Sequence, residues 1–162
     1  MAQGAGKSFV VSSTAQQGLR YLAKAIDSIS QKNVYIGVIG NNAGREGELN
    51  NAQLMAIHEF GTEHIPERAP IRKTMAKNGD RYGTMFEKAI MGVLEGKSDA
   101  DVILNKIGVQ VSGDVVKEIQ AGLTPDISDS TKARRIKGDG DGEMKPLIDT
   151  GALVQSISYE VK

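Results

Sequence analysis

The chain has no cysteine, no tryptophan, two histidines, three phenylalanines, four tyrosines and four prolines among 162 residues. Without cysteine there can be no disulfide framework, no thiolate metal site and no cysteine nucleophile, a composition that suits a reducing compartment. Scarce aromatics leave the core to Ile, Leu, Val, Ala and Met, and provide few anchors for a small, tight interface. Charge of one sign is missing too: 20 Lys and Arg stand against 20 Asp and Glu. No chain-wide basic field exists to hold nucleic acid, and any DNA contact must be local. No apolar run approaches the roughly 20 residues that cross a bilayer, and MAQGAGKSFVV lacks the charged-then-apolar pattern of a signal segment. A soluble, unexported chain with no membrane partner is expected. Its length suits one domain spanning 1–162 with a real core, and no repeat of solenoid period is present.

After a polar start, read as a flexible N-terminus over 1–13, the spacing of Leu19, Leu22, Ala23, Ile26 and Ile29 predicts an amphipathic helix over Thr14 to Ser30. NVYIGVIG, Asn33 to Gly40, is short, β-branched and bounded by turn residues, which predicts a strand. The Gly- and Asn-rich segment 41–51 reads as an exposed loop. Helical spacing resumes over Ala52 to Phe60, with Gly61 placed as its stop. Pro66 and Pro70 then force an extended connection. From Ile71 to Val93 one long helix is expected, interrupted or bent near Asn78 and Gly79. Another covers Asp99 to Gln120, with Val102, Ile103, Ile107, Val111, Val115 and Ile119 as its apolar stripe. Segment 122–145 has little to bury and reads as a long exposed arm whose removal, from Ile127 to Glu143, would leave the fold intact. Asp149 or Thr150 is placed to cap a short helical turn through Val154, before a final strand in which Ile157, Tyr159 and Val161 alternate. Strands at both ends with helices between give an α+β fold: a small, mostly antiparallel sheet packed against two or three long helices, with long polar loops.

Five short motifs invite chemistry. GAGKS at Gly4 to Ser8 ends like a phosphate-binding loop, but the required first glycine falls on Met1 and no strand can precede it. HEFGT begins like a zinc-protease helix, yet the residue four beyond His58 is Thr62, and His64 lies past a turn. A metal there would need carboxylates such as Glu59 or Glu63. DGDGE, Asp139 to Glu143, alternates carboxylates like a calcium loop but has Met144 and Thr150 where glycine and glutamate belong. LIDTGA, Leu147 to Ala152, looks like the active-site turn of retropepsin-type aspartic proteases, in which paired aspartates share a proton. With eleven residues after Gly151 and a helix-rich chain before it, Asp149 reads better as a helix cap. KARRIK, Lys132 to Lys137, and the six basic residues from Arg68 to Lys88 read as solvated faces that can meet phosphate or an acidic neighbour.

Two segments together resemble the tail-completion or head-to-tail joining proteins of tailed bacteriophages, also called virion morphogenesis or minor tail component proteins. AIHEFGTEHIPERAPIRKTM, Ala56 to Met75, is similar to that family's Glu-Phe-Gly-Thr followed by Ile-Pro-x-Arg, and PLIDTGALVQSISYEV, Pro146 to Val161, to its closing Pro-Leu-Ile-Asp-Thr-Gly and strand. Their order, the helices between them and the Thr-Lys-Arg arm before the second agree as well, so the likeness runs from Val34 onward. At Ala69-Pro70-Ile71 the chain lacks an aromatic that members often carry. The resemblance implies a structural virion protein, made in the host cytoplasm, with no reaction to catalyse and no cofactor or bound metal. It implies rings, commonly hexamers, in the neck or at the head-proximal end of the tail, partnered by tail-tube and connector proteins, with DNA passing the lumen without specific binding. His58 and Glu59 are then expected at the end of a packed helix. Glu67, Arg68 and Arg72 are expected to face a neighbour, and Lys132, Arg134, Arg135 and Asp149 complete the candidate contacts.

Overall fold

Two strands from opposite ends of the chain make the sheet. In the computed structural model, which describes residues 12–40, 49–137 and 144–162, β1 (Val34–Val38) pairs antiparallel with β2 (Ile157–Val161). Val34 stands opposite Val161, Ile36 opposite Tyr159 and Val38 opposite Ile157. Asn33 and Lys162 extend the ladder by exchanging backbone hydrogen bonds. The fold is α+β, rich in helix, with a two-stranded antiparallel sheet. GAGKS, the DGDGE run and residues 41–48 of the Gly- and Asn-rich loop lie outside the described residues.

Three long helices pack on one another, α1 (Ser13–Ser30), α3 (Pro70–Leu94) and α4 (Ala100–Ala121), and of these α4 is the one that covers the sheet. α4 is the centre. Its stripe of Leu104, Ile107, Val111, Val115 and Ile119 is buried, and Val115 and Ile119 are completely enclosed, each contributing about 1.5–3 kcal/mol through burial. One face meets α3 and another lies under the sheet, where Gly108 is packed against the ring of Tyr159. Asp99 caps α4 by accepting from the Asp101 N–H at 2.8 Å, and Ser12 caps α1 through Ala15 N–H at 3.3 Å. α2 (Asn51–Phe60) sits against β1, closed at its start by a capping box between Asn50 and Gln53. Met55, Val115, Ile119, Leu123, Leu147 and Leu153 form the largest buried cluster, joining α2 and α4 to the short helix α6 (Ala152–Gln155).

Three expectations change. α3 runs unbroken through Asn78 and Gly79: Asn78 donates from its side chain to the Thr74 carbonyl at 2.9 Å, and Gly79 needs no space for a side chain on an exposed face. The buried positions Thr74, Tyr82 and Val93 hold the helix by packing, which outweighs the roughly 1 kcal/mol lost at an interior glycine. The 122–145 arm contains helix α5 (Asp129–Lys137), and Leu123 and Ile127 are buried, so excision from Ile127 would open the core. Helix α2 starts one residue earlier than expected, and Asn51, placed in the exposed loop by its composition, is buried because the Asn50 cap turns it inward. Among the described residues no helix is long and apolar enough to cross a membrane.

Candidate functional site

The HEFGTEHIPERAP segment folds as a locked corner between α2 and α3. Gly61 ends α2 at φ 74°, and a Cβ there would stand 3.0 Å from the Glu67 nitrogen, so the corner needs glycine. Thr62 Oγ1 accepts from the N–H groups of His64 and Ile65, and the returning chain places Arg68 N–H and Ala69 N–H on the His58 carbonyl at 2.9 and 3.0 Å. Pro70 begins α3 behind Ala69, a residue with no side chain to cap the helix. Glu59 supplies the missing cap from twelve residues back: its buried carboxylate accepts from Ile71 N–H at 2.9 Å and Arg72 N–H at 3.0 Å. Arg72 binds the same carboxylate through Nε at 3.0 Å, pairs with Glu67 at 3.1 Å and lies over the Phe60 ring at 5.3 Å.

Arg68 points inward, contrary to the expectation that it faces a neighbour. Nε donates to the Pro125 carbonyl at 2.8 Å and Nη2 to the Asp126 carbonyl at 3.0 Å, while Nη1 meets His58 Nδ1 at 3.3 Å. The planar fork of five donors suits several carbonyls at once, which draws the side chain off the surface. Burial, and then the Arg68 charge, push the His58 pKa down to about 4. His58 is therefore a neutral ring, with Nδ1 free to accept from Arg68. Burial lowers the Arg68 pKa, opposed by the Asp126 charge.

The basic helix α5 is tied to the same corner. Lys132 pairs with Asp126 at 2.7 Å, and that hydrogen bond holds the Asp126 carboxyl below its usual range and raises Lys132. Arg135 donates to the carbonyls of Lys145 and Ile148 and pairs with Asp149 at 3.3 Å. Asp149 is thus a partner of Arg135. The cap of α6 is Gly151, with only a long 3.4 Å bond from Ala152 N–H to Thr150 Oγ1. The hydroxyl of Thr150 lies nearer that helix end, whereas the Arg135 guanidinium draws the Asp149 carboxylate away.

A cleft of about 420 Å3 results, walled by Leu54, Ile65, Ile127 and Leu147. The fold brings His58, Arg68, Arg134, Arg135 and Asp149 to its lining, and leaves Glu59, Glu67, Arg72 and Lys132 outside it. Arg68, Arg134 and Arg135 stand in the lining against Asp126 and Asp149, and Arg134 has no ion-pair partner among the described residues, so arginines outnumber carboxylates there. His58 and His64 share it, yet among the described residues no three His, Asp or Glu side chains gather as a metal would require. A second polar centre gives no such signal in the sequence: Asp114 on α4 takes the Tyr82 hydroxyl at 3.0 Å, Arg81, and Gln110 at 3.1 Å. Desolvation raises and these donors together lower its carboxyl, with a net downward shift, while burial first and then Asp114 push Tyr82 up to about 12. Only the four-residue spacing of Gln110 and Asp114 on one helix hints at it.

Comparison with family models, with curated proteins and with solved structures finds no match to this chain.

Proposed function

We propose that this chain is a structural protein of a tailed-phage virion, assembling as a ring in the neck or at the head-proximal end of the tail, where it completes the tail and joins it to the head. In this reading it catalyses no reaction. The observation that carries it is the amount of large apolar side chain left outside the core: Leu19, Ile26, Phe60, Val109 and Ile136 are all more than half exposed, on three helices and a helix end. Single exposures such as Phe60 and Ile136 are ordinary in a monomer, whereas Leu19, Leu22 and Ile26 follow one another at helical spacing on α1 as one apolar strip, the kind of surface that a partner covers. The resemblance adds direction, because its two segments, far apart in sequence, border one cleft through His58 and Arg68 on one side and Leu147 and Asp149 on the other. Neutral charge overall fits a ring whose lumen passes DNA without gripping it.

Mass photometry and negative-stain microscopy of the purified chain test the reading. Closed rings with a central lumen are expected, and loss of the chain from its phage should leave heads and tails unjoined. A strict monomer across the concentration range, or intact particles without the chain, would contradict it.

A further inference from the structure

Helix α1 carries Ala15, Leu19, Leu22, Ile26 and Ile29 at spacings of four, three, four and three residues. That repeat keeps a seam of side chains facing a single partner helix. The chain's own core takes only the end of the seam: Ile29 packs with Ala25, Val93 and Ala100, whereas Leu19, Leu22 and Ile26 remain 61, 41 and 57 % exposed. Ile29 also lines a crevice with Phe86 and Ile90 of α3, both more than a third exposed, so the seam continues into an apolar surface on α3. The five exposed side chains present on the order of 450 Å2, near the apolar share of the roughly 800 Å2 that each partner of a stable interface buries.

A second uncovered strip runs along α4. Val102 and Val109, seven residues apart, are both more than half exposed, and with Asn105 and Lys106 they line a shallow groove. α1 meets α4 of its own chain through Ala100 and Ile103, on a different side of the helix, and leaves the groove open. The two strips complement each other in size, since longer Leu and Ile side chains stand on one and short valines floor the other. Asp101 also lines the groove, held in an ion pair by Lys32 of the same chain, and Lys106 borders it with no ion-pair partner among the described residues.

We propose that the α1 seam of one copy docks in the α4 groove of the next copy, a contact that repeats around the ring. The inference rests on the ring reading above and assigns its interface. Coverage decides the pairing: α1 against α1 would close a dimer and leave the α4 strip in water, whereas α1 against α4 covers both strips with one kind of contact. Each subunit then offers one seam and one groove to its two neighbours, as a head-to-tail ring requires.

The chain has no cysteine, so Leu22→Cys and Val109→Cys give clean single-thiol variants at exposed positions. Mild oxidation of the full-length proteins mixed one to one should link the two variants as a dimer, and the double variant should yield a ladder ending at the ring's subunit number. Neither single variant should link to itself. Efficient self-linking of Leu22→Cys, or oligomers that form without the 22–109 link, would overturn this interface and leave the ring reading standing. A monomer at every concentration would overturn both. As an independent readout, Ile26→Glu should weaken association by about tenfold or more with an unchanged melting curve; unaltered association would refute the docking.

Discussion

Arg68 Nε lies 2.8 Å from the carbonyl oxygen of Pro125, and through this bond the corner between α2 and α3 is fastened to the segment that leads into α5. The same guanidinium holds the Asp126 carbonyl and His58. Arg68→Ala takes the donor from two part-buried carbonyls and should cost about 1–3 kcal/mol in urea unfolding. Arg68→Lys should recover less than half of that, because one ammonium cannot replace a planar fork. Full stability in Arg68→Lys would show that charge alone matters here.

Glu59 provides the next test. Its carboxylate is the side-chain cap of α3, since Ala69 has none to offer. Glu59→Gln keeps one acceptor and should cost about 1 kcal/mol, while Glu59→Ala opens both N–H groups and should cost about 2–3 kcal/mol. If Glu59 were a catalytic or metal-binding group instead, Glu59→Gln would leave stability almost unchanged.

His58 gives the fold a pH dependence of known sign. Its pKa falls from 6.5 to about 4 on folding, because burial and the Arg68 charge disfavour the imidazolium. The unfolded chain therefore binds the proton more readily. The contribution of His58 is complete above about pH 6.5 and is lost as pH falls towards 4. The charged group in contact with it is Arg68; Asp126 lines the same cleft but is paired with Lys132, and its carboxyl is held below its usual range. Chemical denaturation of the native chain between pH 7 and 4 should show a decline that His58→Gln flattens. An identical slope in both proteins would remove His58 from the account.

Much of this architecture is legible in periodicity and punctuation. The Gly61 stop and the final strand with Ile157, Tyr159 and Val161 express local geometry and fall where expected, as does the α4 stripe from Ile107 to Ile119; at its start Val102 is exposed and Leu104 is buried instead, because the helix turns that face away from the core. The continuity of α3 is not legible, because packing of Tyr82 and Thr74 overrides the local weakness at Asn78 and Gly79. Nor is the inward turn of Arg68, since its carbonyl partners lie 57 and 58 residues away and carry no side-chain signature. The Glu59 cap is half legible: Pro at the helix start after an alanine announces that a cap is missing, but not which residue supplies it.

Gly108 and Tyr159 set how closely α4 approaches the sheet. A Cβ on Gly108 would stand 2.1 Å from Tyr159 Cδ2, so the helix lies flush against the ring. Gly108→Ala should destabilise by about 1–3 kcal/mol despite the better helix propensity of alanine. Pairing it with Tyr159→Leu should recover part of that loss, a coupling that a double-mutant cycle measures. Additive losses would place the strain elsewhere.

Local and global stability separate at the LIDTG turn. Arg135 joins α5 to the Lys145 and Ile148 carbonyls and to Asp149, while α5 itself buries no residue. A helix of nine residues without a buried face has little hold of its own, so these bonds decide whether it stays docked. Arg135→Met should raise hydrogen exchange across 129–137 by about tenfold or more while shifting the global unfolding midpoint little. Asp149→Asn should do the same more weakly, because its side chain is 43 % exposed and a half-exposed ion pair contributes about 0–1 kcal/mol. A catalytic aspartate would behave otherwise: Asp149→Asn would abolish a peptidase activity and leave exchange in α5 untouched. The contrast between the two readouts assigns Asp149 either to the docking of α5 or to chemistry, and the ion pair with Arg135 favours docking.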